Sequence, residues 1–194
     1  GCYEALFTLG DKPELRYRAA REWLLENGYK TTNDYLAECA EAVLNETSLI
    51  PHLNPGCLTA DEITKLKPLS GSMGLMVESL SSRLNEKGQP HYGSPDKDPI
   101  FRMKTLEEAG KQKVPFTTGI LIGIGETRLE RLESLQKIAE LHRTSNHIQE
   151  VIVQNFRAKP NTLMANASEP SFDELMWTIA MARLILPGDI SLQV

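Results

Sequence analysis

The sequence is short of cysteine, has no basic run and no long apolar stretch, and each shortage excludes a class of protein. Cys2, Cys39 and Cys57 are odd in number and far apart. They make no disulfide framework and suit a reducing cytoplasm. Lys and Arg are scattered without interleaved aromatics, and the net charge is −5. No surface follows a phosphate backbone, so nucleic acid is not an expected partner. The longest apolar stretch, Gly119 to Gly125 with its neighbours, falls far short of the roughly 20 residues of a spanning helix, so no membrane contact is expected. No charged segment followed by an apolar one opens the chain, and there is no internal repeat. What is present, 41% apolar and 24% charged residues over a length of 194, suffices for one domain with a core that needs no staple. The chain opens on Gly1, and both ends fall inside an alternation of strands and helices. An excerpt of a longer protein is therefore expected.

The alternation is read from periodicity and punctuation. Tyr3 to Leu9 is a β-rich run, followed by Gly10, Asp11 and Pro13 as turn and helix-start signals, with the helix running to Asn27 and stopping at Gly28. A second helix covers about Thr32 to Glu46, with Leu36, Cys39, Ala40 and Val43 on one face, which places Cys39 in the core. Leu49 to Leu53 is the next strand, and Thr59 with Glu62 opens a short helix as a capping box. Ser72 to Glu78 reads as a third strand, followed by a long polar connection through His91 and Tyr92 to a helix near Pro99 to Ala109. So long a loop is often functional. Phe116 to Ile122 is a fourth strand, Thr127 with Glu130 caps the next helix, and Glu150 to Phe156 is a fifth strand. Ser171 with Glu174 caps a last helix, and a sixth strand begins at Ile190.

Strands joined by helices imply right-handed crossovers and a parallel sheet. A doubly wound sheet would carry its glycine-rich fingerprint after the first strand, whereas here the glycines follow the fourth. An incomplete (β/α) barrel of about six parallel strands with helices outside fits better, since the complete fold needs eight strands and about 250 residues. Its chemistry sits at the C-terminal strand ends. Those ends carry Gly10 and Asp11, His52 and Asn54, Glu78, Gly123, Gly125 and Glu126, and Gln154, Asn155 and Arg157. Strand ends are polar in part because they meet turns and caps. Glu4, Glu78, Gln154 and Asn155, however, lie within or at the edge of apolar strands, where a polar group must be paired or face a ligand. Glu4 reads equally as a paired structural acid.

The run Gly119-Ile120-Leu121-Ile122-Gly123-Ile124-Gly125-Glu126 is the sharpest local signal. Glycine weakens a strand unless another group must approach its backbone, and a flat aromatic ring is one such group. A bulged strand followed by a glycine turn is the other reading. The third glycine of a dinucleotide fingerprint and the Gly-Lys-Ser/Thr of a phosphate loop are both absent.

These residues resemble a specific family. GILIGIGE looks like the segment with which radical S-adenosylmethionine (SAM) barrels hold adenine, and Glu4 to Asp11 resembles their glycine-acid turn. The ordered strings GCYEALFTLGDKPE, PHLNPG, SMGLMVES, HYGSPDKDP, FTTGILIGIGET and VQNFRAKPNTLM are similar to the CofG-type 7,8-didemethyl-8-hydroxy-5-deazariboflavin synthases over nearly the whole chain. The resemblance implies SAM cleaved at a 4Fe-4S cluster, hydrogen abstraction from a hydroxybenzyl adduct of a ribitylaminouracil, ring closure and ammonia loss, a radical SAM carbon-nitrogen lyase reaction. It implies as partners a tyrosine-using synthase subunit, separate or fused, and an electron donor. By resemblance Thr8, Gly10 and Asp11 would meet the amino-acid end of SAM, Gly119, Leu121, Gly123, Gly125 and Glu126 its adenine, and Glu78 its ribose or the substrate. Glu4, His52, Asn54, His91, Gln154, Asn155 and Arg157 are apt partners for a ribityl chain and a uracil. Tyr92 could cover the site beside His91, and His142 and His147 are assigned to solvation at an exposed helix end.

The sequence departs from the family in two places. The CxxxCxxC loop that would hold the cluster is absent, so its ligands are expected upstream of Gly1, with the first barrel strand, and the final strands beyond Val194. The chain alone is therefore expected to be inactive. Asp11 stands where a glutamate is common, one methylene shorter. The rival readings are a non-redox lyase or aldolase with Lys159 as Schiff-base lysine, and a nucleotide-binding module without chemistry.

Overall fold

Apolar runs bounded by capping residues become strands and helices throughout residues 1–194, all described by the computed structural model. The chain divides into two units, Gly1–Leu75 and Met76–Val194.

In the first unit, β1 (Glu4–Thr8), β2 (Ile50–Asn54) and β3 (Ser72–Gly74) run parallel in chain order. Thr8 lies opposite Asn54, and His52 opposite Ser72. The helix expected to run unbroken to Asn27 is two helices, α1 (Pro13–Arg16) and α2 (Arg18–Glu26), because Tyr17 between them is extended. Glu14 supplies the physical reason. Its buried carboxylate accepts from Thr32 N at 3.2 Å and Thr32 Oγ1 at 2.6 Å, which pins α1 to the start of α3 (Thr32–Glu46). Arg21 Nη1 donates to the Glu14 carbonyl at 2.7 Å. Thr31 and Asp34 form a capping box on α3, as Thr59 and Glu62 do on α4 (Ala60–Leu66), so each helix start gains an acceptor for an otherwise orphaned amide. Leu36, Ala40, Leu53, Ile63, Leu66 and Met73 form the core of this unit. Cys39, expected there, is only half-buried, because Leu36 and Ala40 hold the inner line of the α3 face.

In the second unit, β4 (Phe116–Ile122), β5 (Ile148–Asn155) and β6 (Ser191–Gln193) are again parallel and in chain order. Around them lie α5 (Pro99–Lys111), α6 (Arg128–Ser145) and α7 (Phe172–Ile185). Asp98, Thr127 and Ser171 cap these helices through side-chain oxygens. Phe116, Ile120, Ile122, Leu135, Ile138 and Val151 are the buried centre.

The third strand expected over Ser72 to Glu78 stops at Gly74. Glu78 has left-handed backbone (φ +63°) and meets β4 through a single bridge at Ile120. Its amide donates to Gly119 O at 3.0 Å, and its carbonyl accepts from Leu121 N at 2.9 Å. A side chain in that backbone region is strained, so a regular strand is broken there and the Glu78 carboxylate is re-aimed.

His142 and His147 are not at an exposed helix end. Both are buried. His142 lies on the buried face of α6, and the left-handed turn at Asn146 (φ +49°) carries His147 inward just before β5. His147 Nε2 lies 3.0 Å from Leu106 O, which requires the Nε2–H tautomer, and His142 Nε2 lies 3.2 Å from Asp189 Oδ2. Burial pushes the His147 pKa below the usual histidine value despite the Leu106 carbonyl.

Candidate functional site

The polar strand ends fall into two sets, one in each unit. In the first unit, the turn after β1 is fastened to the loop after β2. Asp11 Oδ2 accepts from Cys57 N at 2.6 Å. Gly56 (φ +90°) is glycine for this reason too, since a Cβ there would lie 2.6 Å from Asp11 Oδ2. Lys12, itself left-handed (φ +40°), pairs with Glu62 at 2.9 Å, and Glu62 Oε1 accepts from Asn33 Nδ2 at 3.0 Å. A Cβ at Gly10 would meet nothing within 4 Å. This turn thus presents bare backbone held rigidly from behind. Thr8 is exposed, Asn54 half-buried, and buried His52 shares a 2.7 Å hydrogen bond with Ser72 Oγ. Glu4 is exposed on β1, so its charge incurs no burial cost.

In the second unit, Glu78 is the centre of an ion cluster. Lys97 Nζ and Arg102 Nη1, the latter at 3.1 Å, donate to Oε1, while His91 Nε2 lies 3.1 Å from Oε2. Arg102 also donates to the carbonyls of Met76 and Asp96. The Glu78 side chain is 12% exposed. Burial alone would raise its pKa, but the His91 hydrogen bond and the charges of Arg102 and Lys97 outweigh it and hold the carboxyl at about 2. Of the two ways an acid survives among Leu75, Met76 and Val77, pairing is the one seen. His91 joins this cluster and is buried, whereas its neighbour Tyr92 is exposed. Lys97 and Arg102 were missed from sequence. Their only signal was position, flanking the end of a long polar loop.

The glycine run resolves into separate cases. A Cβ at Gly119 would lie 2.2 Å from Ile152 O, so the close approach there is by β5 itself. Gly123 (φ +90°) is backed by Pro170, whose Cδ would be 2.5 Å from a Cβ. Gly125 (φ +108°) faces open space, with only Leu84 Cδ2 at 4.0 Å. Glu126 turns inward, its side chain 1% exposed. It accepts from Gly123 N and Ile124 N, both at 2.8 Å, and from Arg131 Nε at 2.7 Å. Arg131 in turn reaches Glu174 and Thr178 on α7. Half-buried Leu121 lies opposite exposed Gln154 on β5. At the end of that strand the Asn155 amide, in the orientation that satisfies both groups, sets its oxygen 3.2 Å from Arg157 Nε and Nη2, and Arg157 pairs with Glu169 at 2.6 Å.

Each unit offers open backbone at a strand end: at Gly10 beside a fastened carboxylate in the first, and at Gly125 in a loop braced by Glu126 in the second. An iron-sulfur cluster finds no ligand set among these residues. The three cysteines are free, and no group of three His, Cys, Asp or Glu side chains is placed to hold a metal ion. Lys159 is exposed, without the desolvation that activates a Schiff-base lysine.

Six parallel strands with helices make an incomplete α/β fold, which solved structures share. The [FeFe]-hydrogenase maturase HydG from Carboxydothermus hydrogenoformans matches 83% of this chain and 38% of its own with a TM-score of 0.67 and 21% identity. Methylornithine synthase (PylB) matches 84% of this chain and 52% of its own, with a TM-score of 0.60 and 18% identity. At such identities the likeness is one of fold. No protein-family model matches the chain. The particular resemblance comes from sequence: over its full length the chain is 55% identical to the FO synthase of Nocardia farcinica and 52% identical to the 7,8-didemethyl-8-hydroxy-5-deazariboflavin synthase of Methanopyrus kandleri. It spans 22% of the former and 58% of the latter. The resemblance read from the ordered strings is therefore borne out, for part of such a protein.

Proposed function

We propose that this chain is the nucleoside- and substrate-holding part of a radical SAM enzyme that forms the deazaflavin 7,8-didemethyl-8-hydroxy-5-deazariboflavin. The observation that carries the reading is identity of 51–55% along essentially the whole chain to proteins bearing that synthase name or the name FO synthase. SAM, when bound and reduced, supplies a hydrogen-abstracting radical. The residues of this chain bind and orient. Asp11, held by Cys57 N, offers a fixed carboxylate for an ammonium group, with Thr8 and Gly10 beside it. Gly125 and Leu121 offer a flat apolar rest for adenine, on a loop shaped by Glu126 through Gly123 and Ile124. Glu78 keeps its charge at neutral pH and, with His91, forms a polar wall for ribose or substrate hydroxyls. His52, Asn54, Gln154, Asn155 and Arg157 are the donors and acceptors for the ribityl and uracil groups of the hydroxybenzyl adduct, and exposed Glu4 is a further acceptor. Cyclisation with loss of ammonia completes a carbon-nitrogen lyase reaction.

The reading includes a 4Fe-4S cluster, for which this chain provides no ligand set. It also includes an electron donor, a tyrosine-using subunit that makes the adduct, and a cytoplasmic setting, which the free cysteines support. No helix is long and apolar enough to cross a membrane. The test is anaerobic incubation of the whole protein carrying this chain with SAM, a reductant and the adduct. Release of 5′-deoxyadenosine that depends on the adduct is expected, and residues 1–194 alone should release none. Deoxyadenosine from residues 1–194 alone, or none from the reconstituted whole protein, refutes the reading.

A further inference from the structure

The glycine loop after β4 is held from two sides. From beneath, Glu126 receives the amides of Gly123 and Ile124 and is anchored by Arg131. From the other side, Arg83 Nη2 donates to the Gly125 carbonyl at 2.9 Å and to Glu130 Oε2 at 3.0 Å. Arg83 belongs to the polar segment 79–98, which is fastened along its length. Leu80 N donates to Ser134 Oγ at 3.0 Å, and the Ser81 hydroxyl donates to Glu130. Against the opposing effect of burial, the Ser81 hydroxyl, the Thr127 amide and Arg83 hold the Glu130 carboxyl at about 2. Midway, His91 N donates to Leu84 O at 2.9 Å, so the stretch beside Arg83 is tied to the stretch beside Glu78. At the far end His91 and Lys97 engage the Glu78 carboxylate.

The segment thus connects two groups that the proposed function assigns to one ligand, the Gly125 loop and the Glu78 carboxylate. We propose that segment 79–98 is a coupling strap, with Arg83 as a positioning residue that fixes the glycine loop for a SAM-type nucleoside and relays its occupancy to the Glu78 cluster. The inference rests on the reading of the Gly125 loop as a nucleoside site. Its physics is entropic. Two glycines at positive φ leave the loop many conformations, and a clamp on the Gly125 carbonyl removes them before the ligand arrives. Linkage then requires that a ligand ordering the loop also orders the strap, and that loosening the strap at either end weakens the ligand. Arg is suited to this task because its planar Nη2 holds two hydrogens in fixed directions, one for the Gly125 carbonyl and one for the Glu130 carboxylate, which a freely rotating ammonium does with less geometric definition.

The experiment uses the whole protein and S-adenosyl-L-homocysteine, a nucleoside that needs no cluster chemistry. Calorimetric Kd and amide hydrogen exchange over 79–98 and 119–126 are measured for the unsubstituted protein, Arg83→Gln, Arg83→Lys, Lys97→Gln and the Arg83→Gln/Lys97→Gln pair. Arg83 is 41% exposed, and its replacement leaves the core intact. In the unsubstituted protein the nucleoside should slow exchange in both segments. Arg83→Gln should weaken binding roughly five- to tenfold, a coupling of ordinary size, and abolish ligand protection of 79–98. Arg83→Lys should recover part of both. The paired substitution should weaken binding by less than the product of the two single effects, because either one breaks the same strap. Unchanged Kd in Arg83→Gln, or multiplicative effects in the pair, overturns the strap while leaving the nucleoside site intact. Absence of binding by the unsubstituted protein would instead remove the nucleoside site and the strap with it.

Discussion

Glu78 shows how one residue can be costly and retained. Its left-handed backbone and its buried charge are both unfavourable, and Lys97, Arg102 and His91 answer the charge. Removing the charge leaves Arg102 buried without its counter-ion. Glu78→Gln should therefore destabilise the protein by about 3 kcal/mol, the size implied by a carboxyl held at about 2 rather than at its ordinary value. A pH series of urea denaturation gives the sign. The carboxyl binds its proton more weakly folded than unfolded, so its contribution is full above about pH 4.5 and is lost as pH falls towards 2. Glu78→Gln should flatten that acid limb. An unchanged limb would place the acid sensitivity elsewhere. Sequence pointed to Glu78 because an acid among apolar residues needs a partner, but the partners come from a loop whose path no periodicity encodes.

At the scale of elements, the glycine loop and the strand before it were legible in outline and differ in cause. The sequence pattern gave β4 with its true bounds, because an apolar run flanked by Pro115 and Gly123 has both its ends marked. It gave the capping boxes at Thr59 and Thr127 for the same local reason. It overran at β3 and missed the break at Tyr17, since both depend on side chains reaching residues distant in sequence, Glu78 to Lys97 and Glu14 to Thr32. Gly119 was singled out as a site of close approach, and the approaching group is the backbone of β5. Gly119→Ala should thus cost about 3 kcal/mol, the upper range for overpacking, and lower the thermal midpoint; an alanine tolerated without loss would contradict the packing. Arg131 holds buried Glu126 and reaches across to α7. Arg131→Met strands that carboxylate and should cost about 3 to 5 kcal/mol in urea unfolding, with faster amide exchange at Gly123 and Ile124. Exchange unchanged at those two amides would show that Glu126 needs no anchor.

For the whole molecule, alternation and strand-end polarity were enough to read the fold class, and the ordered strings were enough to read the resemblance that full-length identity bears out. The buried placement of His142 was legible in the periodicity that puts it on one face of α6 with Leu135, Ile138 and Ala139, whereas that of His147 was not, because it follows the left-handed turn at Asn146, which no periodicity marks. The central proposal is that this chain serves the formation of a deazaflavin. It is tested most directly by following deazaflavin formation in the whole protein with its cluster reconstituted without oxygen. SAM, a reductant and the hydroxybenzyl adduct are supplied, and the product is identified by chromatography and mass. Formation of 7,8-didemethyl-8-hydroxy-5-deazariboflavin with matching release of 5′-deoxyadenosine is the expected result. Intact adduct after full cluster reconstitution, or product formed without SAM, would contradict it.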